Sequence, residues 1–385
     1  MYRFAYIAYG LFVASAGVTF VFLEDIESDF GISPLGIGAI SAMSFLVALV
    51  VALGLSPLGD RGRVTELAVG AFVSAAIGNI WLGLASSFWE FLVARGLASL
   101  GIGLFAIAAR KALIGDSIDG SAEKLGGLIS AAVAGFLLGP ALGAWLEQYG
   151  GMLTPYLVLT IGLLLCAVPS ITWLRRTPIA TSAITTTRAM IPLLKLPLMR
   201  AAVASHTAVF LNIGVFDSTV DELLTDLGAG NTQVALVLVL IGSPLLVVPT
   251  LAGRFVDSHP NPRRVLLLAH LLFVPIVLGL STSTTILFFV VLSFTQTTIE
   301  SVVFPSSARV AVNQTGAHES AIGQGLLDSA GQLAASISAF LAPVLYDLTD
   351  GPLGSFGMSG AAALLLLLYS WSQIRIGTRI EPAVA

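Results

Sequence analysis

Charge is what this sequence has least of. Only 10% of its 385 residues are Asp, Glu, Lys or Arg, where a water-soluble domain carries roughly 25%. A surface so poor in charge cannot face water on all sides. A soluble globular domain is therefore excluded, and the mean hydropathy of +0.94 makes lipid the expected solvent. Cysteine is nearly missing as well: Cys166 stands alone in an apolar run, so neither a disulfide framework nor a cysteine-built metal site can be assembled. The four histidines, His206, His259, His270 and His318, are dispersed and suit hydrogen-bonded or interfacial positions better than a metal site. His318-Glu319 lacks the second histidine of a zinc-protease helix, and no Gly-x-x-x-x-Gly-Lys-Ser/Thr phosphate loop occurs. Basic residues come singly rather than in a stripe, and the net charge is only -4, so nucleic acid is not an expected partner. The composition thus predicts no enzyme, no metal and no cofactor.

What fills the chain instead is apolar runs. A membrane helix needs about 20 mainly apolar residues, and such runs fall at 4–23, 34–57, 65–86, 91–112, 125–146 and 153–174. Six more follow at 201–220, 232–253, 264–281, 284–308, 321–345 and 354–374. The first run is too long for a secretory leader and has no small-residue cleavage site, so it reads as a retained helix. The expected organisation is an all-α integral membrane protein of twelve helices in two pseudo-symmetric six-helix bundles, 1–174 and 201–385, joined by a cytoplasmic linker at 175–200.

Basic residues are retained on the cytoplasmic side of short loops. With the N-terminus inside, every Lys and Arg except Arg95 falls on that side, while Glu24, Asp25, Glu27, Asp29, Asp221, Glu222 and Asp226 fall outside. Both termini are then cytoplasmic, as an even number of spans requires. A plasma (inner) membrane location is expected.

The two halves repeat. Asp29-Phe30-Gly31 recurs as Asp226-Leu227-Gly228 and Asp60 as Asp257, each 197 residues on; Arg110 recurs as Arg309 and Pro140 as Pro343, at offsets of 199 and 203. A slowly drifting offset is what small loop insertions produce in two units of common origin.

Three motifs then resemble those of the major facilitator superfamily of secondary transporters. Ser56-Pro57-Leu58-Gly59-Asp60-Arg61-Gly62-Arg63 is similar to the family's loop pattern Gly-x-Leu-Ala-Asp-Arg-x-Gly-Arg, with serine for the leading glycine and one residue fewer before Gly62. The copy Gly253-Arg254-Phe255-Val256-Asp257 keeps the glycine and has a longer, proline-rich tail. Arg95-Gly96-Leu97-Ala98-Ser99-Leu100-Gly101-Ile102-Gly103 resembles the fourth-helix motif. Gly135-Phe136-Leu137-Leu138-Gly139-Pro140-Ala141-Leu142-Gly143 fits the Gly-x-x-x-Gly-Pro-x-x-Gly pattern associated in that superfamily with proton-exchanging exporters. Taken physically, Gly135, Gly139 and Gly143 make a smooth face for close helix contact, and Pro140 removes a backbone hydrogen bond and permits a bend. Packing face and hinge-like gate are both consistent with these residues.

Ionisable groups at membrane depth cost at least about 2.5–3.5 kcal/mol each and usually face a cavity. Arg95 lies 15 residues before Arg110, some 22 Å from the cytoplasmic end of its span. Glu300 is nine residues before Arg309 and Asp328 eight after Ser320, about 13 and 12 Å deep. Arg95 can snorkel or bind helix carbonyls, and Asp328 can bond Gln324 or Gln332 a turn away. Glu300, surrounded by Gln296, Thr297 and Ser301, is the expected proton carrier. The resemblance places the first, fourth, seventh and tenth spans around the cavity, which adds Tyr9 and Asn212, each of which can equally just join two helices. It also implies a cytoplasmic gate in which Asp60, flanked by Arg61 and Arg63, pairs with Arg110 and faces the start of the eleventh helix, mirrored by Asp257 and Arg309.

The function these readings imply is proton-coupled efflux of a small organic molecule by alternating access, with protons and the lipid bilayer as partners and a monomer as the working form. An uptake symporter or facilitator, and a non-transporting receptor or scaffold on the same fold, remain as alternatives.

Overall fold

The computed structural model describes residues 3–22, 26, 29–32, 34–182 and 187–380. Glu24, Asp25 and Glu27, and linker positions 183–186, lie outside the described residues. The first half of the chain forms α1 (Arg3–Val21), α2 (Pro34–Asp60), α3 (Val64–Leu84), α4 (Phe88–Ile114), α5 (Ser121–Glu147) and α6 (Leu153–Arg176). The second forms α7 (Pro197–Asp226), α8 in two pieces (Asn231–Gly242 and Pro244–Ser258), α9 (Pro262–Leu280), α10 (Ile286–Thr315), α11 (Ser320–Leu348) and α12 (Pro352–Ile380). A short turn, Met190–Leu193, precedes α7. Eleven helices among the described residues are long and apolar enough to cross a membrane, and α1, at 19 residues, is the remaining helix of two six-helix halves.

The distribution of side chains is that of a protein dissolved in lipid. Leu165, Val168, Phe340 and Leu365 are exposed within their helices, while Arg95, Asn212, Gln296 and Glu300 are buried. Lipid solvates the former; the latter need protein partners, because hydrocarbon offers no hydrogen bonds.

The described chain separates into two compact units. One comprises 1–117, 127–187 and 317–325, and the other 118–126, 188–316 and 326–385. Each unit therefore takes in the start of one helix from the opposite sequence half: nine residues leading into α11 for the first, nine leading into α5 for the second. The first unit centres on the rings of Phe12, Phe72 and Phe105, with centroids 4.9–5.4 Å apart. In the second, Phe216, Phe289 and Phe356 meet at 5.3–6.2 Å. His270 ties α7, α9 and α12 together, bonding Ser205 Oγ at 2.9 Å and the Ala363 carbonyl at 3.2 Å.

Two places show how sequence sets helix geometry. The glycines of α5 face α1 so closely that a Cβ on Gly135 would run into the Gly10 carbonyl oxygen, and one on Gly139 would stand 2.5 Å from the Ala14 carbonyl oxygen. Gly143 sits against Val18. This is the small-residue contact by which helices approach in lipid. Pro140 and Pro343 both lie inside their helices, 19 residues after Ser121 and 23 after Ser320, one turn apart in register.

The run 232–253, which reads as one span, is instead broken at Ser243. Pro244 has no N–H to offer the Leu240 carbonyl, which is met by Ser243 through Oγ at 2.7 Å. The Ile241 carbonyl accepts from Thr297 Oγ1 of α10 at 2.6 Å.

Adding a branched side chain at Gly135 must force α1 and α5 apart. Gly135→Val is expected to cost about 1–3 kcal/mol, read as a lower melting temperature of the purified protein in detergent. Gly54→Ala, at a position with open space around it, is expected to melt as wild type; equal melting of both variants would refute the contact.

Candidate functional site

The α2–α3 connection is built to present one carboxylate. Arg63 N–H bonds the Leu58 carbonyl at 3.0 Å and Gly62 N–H the Gly59 carbonyl at 3.1 Å, the paired bonds of a helix ending on a left-handed residue. Gly62 supplies that residue, with φ of 80°. Asp60 is thereby the last residue of α2, and its carboxylate accepts the N–H groups of Ala321 (3.0 Å) and Ile322 (2.9 Å) at the start of α11. These are free donors at the positive end of a helix dipole, the place an anion is favoured.

The cation beside Asp60 is Lys111, at 2.6 Å, both side chains fully buried. Its ammonium also donates to the carbonyls of Ala317 and His318 and to Ser320 Oγ. The sequence reading gave that place to Arg110, the adjacent residue; Arg110 is half-buried, and the ion pair at Asp60 is made by Lys111. Arg61 and Arg63 are exposed.

The second unit repeats the device. Asp257 accepts Ala122 N–H at 3.2 Å and Glu123 N–H at 2.9 Å at the start of α5. Arg309 lies 3.6 Å from Asp257 and donates to the Ile118 carbonyl and to Ser121 Oγ. Arg254 adds an exposed pair with Glu123 at 2.7 Å. The second copy is thus wetter, with 13% exposure on each partner against 0% for Asp60 and Lys111.

Each unit also holds a buried polar centre. In the first, Arg95, seven residues into α4, donates to Thr19 Oγ1 at 2.8 Å and to the Ala16 carbonyl at 3.2 Å on α1. Tyr156 Oη donates to the same threonine at 3.0 Å, and Ser15 Oγ reaches Asn79 at 2.5 Å. Tyr9 stacks on Phe105 at 6.4 Å, in the aromatic core rather than beside Arg95.

In the second unit Glu300 sits at the middle of α10, 14 residues after Ile286 and 15 before Thr315. It is deeper than the sequence arithmetic places it, because α10 continues to Thr315 and not 308. Glu300 is 3% exposed and accepts from Gln296 Nε2 a turn earlier. Ser301 Oγ bonds the Thr297 carbonyl at 2.7 Å, and Thr297 holds the broken end of α8. Asn212 of α7 accepts from Ser359 Oγ of α12 at 3.5 Å, leaving its Nδ2 buried without a partner. Asp328 is half-buried, eight residues into α11.

One ionisable residue within a span was missed from sequence: Asp217 of α7. It stands three residues from the end of the span read as 201–220 and was not singled out. The helix runs on to Asp226, which puts Asp217 nine residues inside it.

Repeated six-helix halves with buried ionisable groups on their helices are the construction of a secondary transporter. The chain belongs to the Major Facilitator Superfamily, whose family model matches residues 5–211 and again 202–379. It is a multi-pass membrane transporter of that family, not an enzyme. Among curated relatives it is 26% identical over 257 residues to "Multidrug resistance protein MdtG" of Klebsiella pneumoniae (strain 342), across 63% of this chain and 61% of that protein. It is 27% identical over the same length to the protein of that name from Enterobacter lignolyticus (strain SCF1), covering 60% of it. The match thus spans under two thirds of these relatives' length. Two solved structures share the fold: the E. coli fucose:proton symporter FucP (TM-score 0.76, 13% identity, 97% of this chain and 98% of that one) and the human organic anion transporter MFSD10 (TM-score 0.72, 17% identity, 96% and 98%). The proton:xylose symporter XylE also matches at a TM-score of 0.72 and 13% identity, over 96% of this chain and 94% of that one.

The two helix caps make different forecasts. Asp60→Asn leaves the Lys111 ammonium buried and uncompensated and is expected to cost about 3–5 kcal/mol. Asp257→Asn, at the wetter pair, is expected to cost about 1 kcal/mol. Melting curves in detergent micelles separate them; equal destabilisation would contradict the assignment of Lys111 as a buried partner.

Proposed function

We propose that the chain exports a small organic solute in exchange for protons, and that Glu300 is the carboxyl that carries the proton. The observation that carries this reading is a carboxyl at the centre of a membrane-spanning helix that has, among the described residues, only its own helix's Gln296 amide as a hydrogen-bond partner. Such a group has no standing structural duty that needs its charge, and intramembrane acids of this kind mark ion pathways. The α5 motif and the likeness to the multidrug resistance protein MdtG support the outward direction.

In this reading 1–174 and 201–385 are the two halves that alternate, joined by 175–200 on the cytoplasmic side, with both termini there and the monomer in the inner membrane as the working form. The Asp60 cap on α11 and the Asp257 cap on α5 form the cytoplasmic gate, made in the outward-open state and broken in the inward-open one. Arg95, with Tyr9 and Asn212, contributes to the path the solute takes.

Two experiments test these roles. In everted vesicles a pH gradient should drive solute accumulation by wild type. Glu300→Gln should lose at least about tenfold of that driven rate, equivalent to roughly 1.4 kcal/mol, while retaining solute exchange at equal pH. Gradient-driven transport at the normal rate in the variant would remove Glu300 from the coupling role, and a gradient that drives solute the other way would favour the uptake reading suggested by the fold's proton symporters. For the gate, Asp60→Asn should raise labelling of cysteines placed on the cytoplasmic side of the path; unchanged labelling would show that the cap does not gate.

A further inference from the structure

We infer that residues 177–182, the stretch that follows α6, form a strap that holds the Asp60 carboxylate on the start of α11 and keeps water from the Asp60–Lys111 pair; its effect on transport rests on the reading of that cap as the cytoplasmic gate. A helix end leaves backbone carbonyls without partners, and the strap meets two such groups. Ser182 N–H donates to the carbonyl of Asp60 itself at 2.8 Å, at the end of α2. Ala180 N–H donates to the carbonyl of Gly115 at 3.3 Å, and Gly115 N–H in turn bonds the Lys111 carbonyl at 2.9 Å, at the end of α4. The strap is thus tied to the main chain of one member of the buried ion pair and stands one hydrogen bond away from that of the other.

A third tie comes from the turn before α11. His318 Nδ1 lies 3.1 Å from the Thr181 carbonyl oxygen; a carbonyl only accepts, so the ring donates. The carbonyl of the same His318 accepts from the Lys111 ammonium at 3.0 Å. His318 therefore grips the strap with its side chain and the buried cation with its main chain. Ile179 packs on the apolar core of the first unit. The strap also lies against the two turns it crosses: a Cβ on Gly62 would stand 3.0 Å from Thr181 Cγ2, and one on Gly115 would stand 3.3 Å from the Pro178 carbonyl oxygen. All of these contacts are made within one compact unit.

The burial of the charge pair follows from this cover. Asp257 and Arg309, at the matched place in the second unit, meet water with 13% exposure each, whereas Asp60 and Lys111 have none. Attraction between opposite charges strengthens as water is excluded, so a strap over the pair strengthens the cap that the pair supports. The three bonds of the strap reach three different elements: the end of α2, the end of α4 and the turn before α11. Asp60 and the start of α11 therefore cannot part without the loss of the His318–Thr181 bond or of the bonds that hold the strap to α2 and α4. Opening of the cap carries that loss in addition to its own.

Hydrogen–deuterium exchange of the full chain purified in detergent reads the cap directly, through the peptide that holds the Ala321 and Ile322 amides. His318→Ala removes the side-chain tie, and Ser182→Pro removes the N–H that bonds Asp60. Each should speed exchange at Ala321 and Ile322 about fivefold, the effect of one lost hydrogen bond on a local opening, while the start of α5 capped by Asp257 exchanges as wild type. His318→Asn, whose amide N–H can take the place of Nδ1, should return exchange to within about twofold of wild type. Exchange at Ala321 and Ile322 unchanged in both strap variants, or raised equally at the start of α5, would overturn the inference. Labelling of cysteines placed on the cytoplasmic side of the path separates the strap from the gate reading. If the strap variants free the α11 amides and labelling stays at the wild-type level, the gate reading falls and the strap stands. If Asp60→Asn raises labelling while the strap variants leave both exchange and labelling unchanged, the strap falls and the gate reading stands.

Discussion

Two aspartate carboxylates, Asp60 and Asp257, each accept the free N–H groups at the start of a helix that comes from the opposite half of the sequence. A helix start in a lipid-dissolved protein has donors that hydrocarbon cannot satisfy, so the carboxylate meets a need that packing alone leaves open. The consequence reaches the organisation of the chain: 317–325 belong with the first unit and 118–126 with the second. The same loop that ends α2 on Gly62 fixes where Asp60 points, so a local turn and a long-range contact are one device. The two copies are not equal, since Lys111 and Asp60 are fully buried and Arg309 and Asp257 are partly wet.

Ionic endowment also differs from one unit to the other. In the first, the buried cation Arg95 is answered by a hydroxyl and a carbonyl on α1. In the second, the buried acid Glu300 accepts from Gln296 on its own helix, where Gln296 Oε1 and Ser293 Oγ are buried without partners. The break in α8 belongs with this second centre, for Thr297, three residues before Glu300, holds the carbonyl at the broken end.

Much of this was legible in the residues. Low charge and long apolar runs lead directly to a membrane protein, and the offsets relating Asp60 to Asp257 and Arg110 to Arg309 lead to two related halves. Asp60 and Asp257 were singled out as a matched pair facing helix starts, and they do occupy matched positions. Harder to read was anything that depends on which of two adjacent residues turns inward: Arg110 and Lys111 differ by 100° around a helix, and only the packed structure shows that Lys111 is the one at Asp60. Helix ends were the other gap. Polar residues near a span's edge, such as Asp217, look like loop residues in a hydropathy pattern, yet α7 carries Asp217 nine residues inward of Asp226. The break before Pro244 was missed, the run 232–253 having been read as one span, and the group that meets the broken end, Thr297, lies 56 positions away from Ile241.

The central claim is that solute and proton cross the membrane in opposite directions, with Glu300 as the carboxyl that carries the proton. Wild-type protein reconstituted in sealed liposomes with a trapped pH dye, at equal pH on both sides, tests it when an inward gradient of ethidium is imposed. Exchange predicts that the interior becomes more alkaline as the cation enters, at a rate that follows the dye-reported influx. An interior that acidifies, or ethidium that equilibrates with no change in pH, would contradict it.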